Sequence, residues 1–143
     1  MAAFTINYRQ IVESVVTECT VSNVAVDDHT KLDDGVHCLA IWDSGATSSI
    51  ITRDIIEKLN LQPVGLCQVA GIHGTEYEYT YYINLQVPGE MTFKILEVTE
   101  GDLEDVDVLI GMDVISQGDF CISNGNKETV VAFRCPSGEP IKF

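Results

Sequence analysis

Positive charge is scarce in this sequence: eight lysines and arginines face twenty-two aspartates and glutamates over 143 residues, for a net charge of −14. A chain this acidic repels phosphate backbones, which disfavours nucleic-acid binding through a basic groove, and anionic membrane surfaces are disfavoured for the same reason. No apolar run approaches the roughly 18 residues of a membrane-spanning helix. The N-terminus lacks the charged region, apolar segment and cleavage site of a secretory leader. These absences lead to the expectation of a cytoplasmic protein with no membrane or nucleic-acid partner. The five cysteines, Cys19, Cys38, Cys67, Cys121 and Cys135, are odd in number, widely spaced and without a Cys-x-x-Cys pair. They read as buried reduced thiols rather than a disulfide framework or a zinc site. His29, His37 and His73 share no metal-ligand spacing with one another or with the cysteines, and the acidic run lacks the calcium-loop pattern with its central glycine. No metal or cofactor is expected. Repeats, linkers and low-complexity segments are missing too, so the length points to a single domain over residues 1–143, with 45% hydrophobic content to build a core.

What is present is concentrated in Leu39-Ala40-Ile41-Trp42-Asp43-Ser44-Gly45-Ala46-Thr47-Ser48-Ser49. The run Val36 to Trp42 is too short for an independent helix and reads as a buried strand that delivers Asp43, partly desolvated, into a turn of small residues. Gly45 and Ala46 would let another backbone come close, and the Ser44 hydroxyl can bond locally and hold the turn.

Around this stretch the pattern is mainly β. Met1 to Gln10 reads as an arm or first edge strand, and Ile11 to Val21, rich in Val and Thr, as a strand. Asn23 to Gly35 has the composition of a surface turn. Thr52 to Asn60 predicts a short helix with Thr52 as N-cap, Ile55, Ile56 and Leu59 on one face, and Asp54 and Lys58 as an i,i+4 pair. Tyr77 to Val87 alternates with period two, putting Tyr77, Tyr79, Tyr81, Ile83, Leu85 and Val87 on one face, more in keeping with core or interface than with a ligand groove. Pro88-Gly89 turns this strand and Met91 to Ile95 returns antiparallel. The acidic run of Glu97, Glu100, Asp102, Glu104, Asp105 and Asp107 reads as a solvated loop. Gly111 to Ser116 looks like one helical turn, and Asp119 to Ser123 is expected to pair with Glu128 to Cys135 through Asn124-Gly125. Many short strands with one or two short helices predict a mainly β fold, a small closed or partly open barrel.

Asp43-Ser44-Gly45-Ala46 after an apolar strand resembles the Asp-Thr/Ser-Gly-Ala/Ser active-site motif of aspartic proteases. A second element, Val106-Asp107-Val108-Leu109-Ile110-Gly111-Met112-Asp113, resembles the apolar-apolar-Gly-x-Asp segment that crosses beneath the active-site turn in retropepsin-like members. Between them, Val69-Ala70-Gly71-Ile72-His73-Gly74 stands where those enzymes carry a glycine-rich flap. The resemblance covers residues 36–123 and implies a retropepsin-like acid-protease barrel. Two departures from the retroviral members stand out: their Gly-Arg-Asp/Asn is Gly111-Met112-Asp113 here, and the aspartate they carry two residues after the turn glycine is Thr47. The Gly-x-Asp form is closer to cellular, bacterial and retroelement relatives.

The resemblance implies an aspartic endopeptidase. Its chemistry needs two carboxylates sharing one proton, and the chain holds one Asp-Ser-Gly, with Asp33-Asp34-Gly35 the nearest miss. A symmetric homodimer would bring two copies of Asp43 together. By the same resemblance, Ser44, Gly45 and Ala46 would form the active-site turn and meet substrate backbone, and Gly71, Ile72, His73 and Gly74 would fold over a peptide substrate as a flap. Ile110 and Gly111 would form a pocket wall. The rival expectation is a protease fold without activity, serving as a peptide-binding or dimerisation module. A serine hydrolase centred on Ser44 is disfavoured because the Gly-x-Ser-x-Gly elbow is absent.

Overall fold

The computed structural model describes residues 1–25 and 35–143. The expected turn from Asn23 to Gly35 therefore falls mostly outside the described residues. Ten strands and two short helices follow in the order β1 (Ala2–Asn7), β2 (Val16–Ser22), β3 (Val36–Trp42), β4 (Ile50–Ile51), α1 (Arg53–Lys58), β5 (Gly65–Gly71), β6 (Gly74–Val87), β7 (Met91–Glu100), β8 (Val108–Ile110), α2 (Met112–Ile115), β9 (Asp119–Ser123) and β10 (Val130–Cys135). The mainly β reading holds, and the barrel is closed. Strands β2, β3, β8, β4, β7 and β6 pair in that order, and β6 returns to β2. The pairings β3–β8 and β4–β7 are parallel, whereas β2–β3, β4–β8 and β6–β7 are antiparallel.

The barrel is filled by inward positions of its strands. Val21, Ile51, Ile83, Leu85, Val108 and Ile110 are fully buried, each contributing roughly 1.5–3 kcal/mol of burial relative to exposure. The period-two stripe of β6 is core only in its second half. Tyr81, Ile83, Leu85 and Val87 point inward, whereas Tyr77 and Tyr79 are 64% and 51% exposed because that end of the strand leaves the barrel. There, beyond Thr80, β6 pairs only with β5, from Leu66↔Tyr79 out to Gly71↔Gly74. Opposite Asn84 the β6–β7 register slips by one. The Ile95 amide, no longer in the ladder, donates to Asn84 Oδ1 at 3.0 Å.

A second, three-stranded sheet of order β1–β10–β9 packs outside the barrel. Its Phe4, Phe120 and Phe133 surround Trp42 of β3, with ring centroids 5.2–5.8 Å from the indole. The indole N–H donates to the buried Thr17 hydroxyl on β2 at 2.9 Å. A large apolar ring with one satisfied polar atom thus locks the end of the strand that precedes Asp43.

Five sequence expectations need correction. The strand read from Ile11 begins only at Val16, because the preceding segment is pinned to Thr129. That residue's hydroxyl accepts from the Val12 amide at 3.1 Å, and its amide donates to the Gln10 carbonyl at 2.9 Å. The expected hairpin of Asp119–Ser123 with the following strand forms, but that strand begins at Val130 rather than Glu128, because a short 3₁₀ turn, Gly125–Lys127, fills the loop and Ser123 pairs with Val130. Thr52 occupies the N-cap of α1 without capping it. Its hydroxyl donates to Asp107 Oδ1 at 2.7 Å, while the predicted buried face and the Asp54–Lys58 pair are present. The acidic run is not all solvated loop, for Glu97 and Glu100 lie in β7 and Glu100 pairs with the Arg53 guanidinium. All five cysteines are free, but of these only Cys19 is buried.

The hairpin end is held by Asp119. The Ser137 hydroxyl, the Gly138 amide and Arg134 Nε all donate to its carboxylate, and together, in that order of weight, they pull its pKa from 3.8 down to about 2. A carboxyl whose folded pKa is depressed contributes stability above its unfolded value and loses it as pH falls through the folded one. The melting temperature should therefore fall between pH 3.8 and about 2 more steeply in the parent than in Asp119→Asn. Parallel profiles over that window would contradict this.

Candidate active site

Asp43 follows directly on β3, and the local chain geometry fixes its carboxylate. Its amide donates to the Ile110 carbonyl on β8 at 2.8 Å, so the residue is tied to the neighbouring strand one position past the ladder. Its Oδ1 accepts the Gly45 amide at 2.8 Å, and its carbonyl accepts the Ala46 amide at 3.2 Å. This is an Asx-type turn, in which a short acidic side chain bonds the backbone two residues on. Oδ2 has no hydrogen bond among the described residues and remains open for chemistry. Asp43 is half-buried, Ser44 and Gly45 are exposed, and Ala46 is half-buried.

Beneath the turn runs the Gly111-Met112-Asp113 segment. The Met112 amide donates to the Ala46 carbonyl at 2.8 Å and the Asp113 amide to the Thr47 carbonyl at 3.2 Å. The Asp113 carboxylate takes both the amide and the hydroxyl of Ser49, at 2.9 and 2.8 Å, and the same hydroxyl accepts the Gly111 amide at 3.1 Å. Ser49 is fully buried, so its polar atoms depend on these partners. Gly111 is glycine for lack of space: a Cβ there would stand 2.9 Å from Ala46 O and from the Ser48 carbonyl carbon. The roles of Ser49 and of the Asp113 carboxylate were not singled out from the sequence. An aspartate just inside a helical turn, facing a serine in a run of small residues, was the available signal.

The segment expected as a flap is the tip of the β5–β6 hairpin. Gly71 and Gly74 form the closing pair, Ile72 and His73 make the turn, and Gly74 has φ +114, a conformation that favours glycine. Ile72 is 97% exposed and β5 carries no buried residue. The two residues expected as a pocket wall are placed differently. Ile110 is fully enclosed in the core and Gly111 is buried under the turn, so neither lines an open pocket in the single chain. A cavity of about 590 Å³ instead lies between Ser48 at the exit of the turn, Leu66, Cys67 and Gln68 at the flap base, and Glu97 and Thr99 of β7. Thr80, whose Oγ1 is buried without a hydrogen-bond partner among the described residues, also faces it. Among the described residues no three His, Cys, Asp or Glu side chains gather as metal ligands. Among the described residues no helix is long and apolar enough to cross a membrane.

A closed six-stranded barrel with an aspartate turn clasped from below and a projecting glycine-tipped hairpin is the architecture of a retropepsin-like aspartic protease. Residues 32–117, more than half of the chain, match the family described as "gag-polyprotein putative aspartyl protease", and the chain belongs to that family. Among solved structures it is similar to the simian foamy virus (mac) protease. That match has 20% identity and a TM-score of 0.50, covering 71% of this chain and 92% of that one. The EIAV protease complexed with the inhibitor HBY-793 aligns at 14% identity with a TM-score of 0.49, over 73% of this chain and 86% of that one. No curated protein sequence matches the chain.

The clasp predicts the cost of breaking it. Asp113→Ala leaves the buried Ser49 hydroxyl and amide without their acceptor and should destabilise the protein by roughly 1–3 kcal/mol. Gly111→Ala pushes on backbone and should cost a similar amount. Gly125→Ala, where a Cβ would meet nothing within 4 Å, serves as the control. Denaturant titration of the three variants decides this, and equal stabilities for Gly111→Ala and Gly125→Ala would contradict the clasp.

Proposed function

We propose that the protein is an aspartic endopeptidase that works as a homodimer, each subunit contributing one Asp43 to a shared catalytic pair. The observation that carries this reading is the Asp43 carboxylate itself, held by the Gly45 amide at Oδ1 and open at Oδ2, on a chain with one Asp-Ser-Gly. In the pair, the ionised carboxylate takes a proton from the attacking water. The protonated one donates to the carbonyl oxygen of the scissile bond. Ser44, Gly45 and Ala46 would border the substrate backbone. The Gly71–Gly74 tip would close over an extended peptide, with Ile72 supplying apolar contact, and the cavity beside Ser48 would take a substrate side chain. The protein is proposed to act in the cytoplasm, in keeping with its free thiols.

Asp43→Asn is expected to lower peptide cleavage by about a thousandfold or more while leaving the fold and the dimer intact, and a variant that cuts as fast as the parent would show that Asp43 is not catalytic. Sedimentation at micromolar concentration should find a dimer. A strictly monomeric protein that still cleaves would sink the shared-pair reading, and a dimer without peptidase activity would favour the binding-module alternative.

Two adjacent like carboxylates lose their first proton easily and hold the second. Activity, which needs the singly protonated pair, should therefore peak in acid and decline toward neutral pH. Rate against pH at two protein concentrations separates titration from subunit dissociation, because only a dissociation-limited acidic limb moves with concentration. Activity still rising above about pH 9 would rule out a shared proton.

A further inference from the structure

Cys19 and Cys38 are register partners on β2 and β3, and their sulfurs lie 3.5 Å apart. The Trp42 amide donates to the Val15 carbonyl. Counting along the ladder by twos from that pair puts Cys19 and Cys38 at a hydrogen-bonded position, where opposing Cα atoms stand about 5.5 Å apart. That separation falls within the span a disulfide bridges, roughly 4.4–6.8 Å.

The two thiols are unequal. Cys19 is 4% exposed and Cys38 is half-buried. A depression of about 320 Å³ beside the pair is lined by Glu18, Cys19, His37, Cys38 and Leu39, with the exposed Glu18, His37 and Leu39 side chains on the opposite strand face from the two thiols. The two thiols share a hydrogen bond in which either sulfur can donate, and it draws the Cys38 pKa below the ordinary thiol value against the opposing effects of burial and Asp107, with Lys58 assisting. The same bond, together with burial, pushes Cys19 up. The thiolate is the reactive form of a cysteine, and Cys38, the less buried of the two, is the sulfur a small oxidant reaches first, which makes it the attacking sulfur and Cys19 the one that resolves.

We propose that Cys19 and Cys38 form a reversible dithiol–disulfide site oxidised by hydroperoxides, separate from the Asp43 turn. The Cys38 thiolate attacks a peroxide oxygen, the O–O bond breaks, and the departing hydroxide takes a proton to become water. Cys38 is then a sulfenic acid. Cys19 gives up its proton, its sulfur attacks Cys38 Sγ, the S–O bond breaks, and the second oxygen leaves as water. Two thiols and one hydrogen peroxide become one disulfide and two waters, with two electrons passing from sulfur to oxygen. A dithiol reductant reverses the bond by exchange. The link would tie β3 to β2 upstream of Asp43, the residue that follows β3.

The test treats the full chain with hydrogen peroxide, alkylates the remaining thiols, digests with trypsin under non-reducing conditions and maps the peptides by mass spectrometry. Cleavage after Lys31 separates the two cysteines. The expected product is a Cys19–Cys38 linked peptide pair lighter by two hydrogens, lost on treatment with dithiothreitol, and formed equally well when Cys67, Cys121 and Cys135 are all serine. Cys38→Ser should slow the peroxide-dependent loss of Cys19 alkylation at least tenfold. Cys19→Ser should leave Cys38 as a sulfenic acid that dimedone traps. Links among other cysteines, over-oxidation of Cys38 in the parent without a link, or unchanged Cys19 reactivity in Cys38→Ser would overturn the proposal. The readout does not depend on peptidase activity, so it stands or falls apart from the proposed function.

Discussion

The Asp43 turn is held in shape by one carboxylate beneath it. Asp113 takes the amide and hydroxyl of Ser49, and Ser49 in turn receives the Gly111 amide. The backbone of Gly111-Met112-Asp113 is thereby stitched to Ala46 and Thr47 from below. Charge-assisted hydrogen bonds to a buried serine are short, directional and costly to lose. They convert a run of small residues, otherwise free to adopt many shapes, into a turn with one geometry. The small side chains that let another backbone approach this turn are the same ones that could not hold it by packing alone.

Support from the other side is apolar. Trp42, the residue before Asp43, is held by Phe4, Phe120 and Phe133 of the three-stranded sheet and by the Thr17 hydroxyl of β2. The outer sheet therefore bears on the site without touching it. The β5–β6 hairpin is the opposite case. β5 carries no buried residue and the hairpin ends in Ile72, 97% exposed, so few packing contacts hold its tip compared with the turn.

Much of this was legible in the residues because it rests on local pattern. The period-two stretch of β6, the apolar face of α1 and the strand before Asp43 each carry their periodicity openly. The closed barrel and its family followed from three motifs in order. What could not be read depends on distant partners. Thr52 looked like a helix cap, yet its hydroxyl is taken by Asp107, fifty-five positions away. Ile11 to Val15 had strand composition, yet the neighbouring backbone is claimed by Thr129 near the other end of the chain. Tyr77 and Tyr79 continue the stripe of Tyr81 in sequence, but nothing in the alternation marks where the strand leaves the barrel. Ile110, expected at a pocket wall from the resemblance, is closed in by the core of its own chain. The juxtaposition of Cys19 and Cys38 is likewise a matter of register, which pairing sets and spacing alone does not.

In the proposed homodimer one carboxylate per chain suffices, because the second comes from an identical subunit. A single Asp43 on a rigid turn can bind and polarise water, but proton sharing needs its mate alongside. The most direct test is the separation of the two Asp43 carboxylates in an experimental structure of the dimer. A shared pair requires oxygen atoms within hydrogen-bond reach, about 2.5–3.0 Å, across a two-fold axis. Carboxylates facing solvent, or held apart by more than a water's width in the assembled dimer, would contradict it.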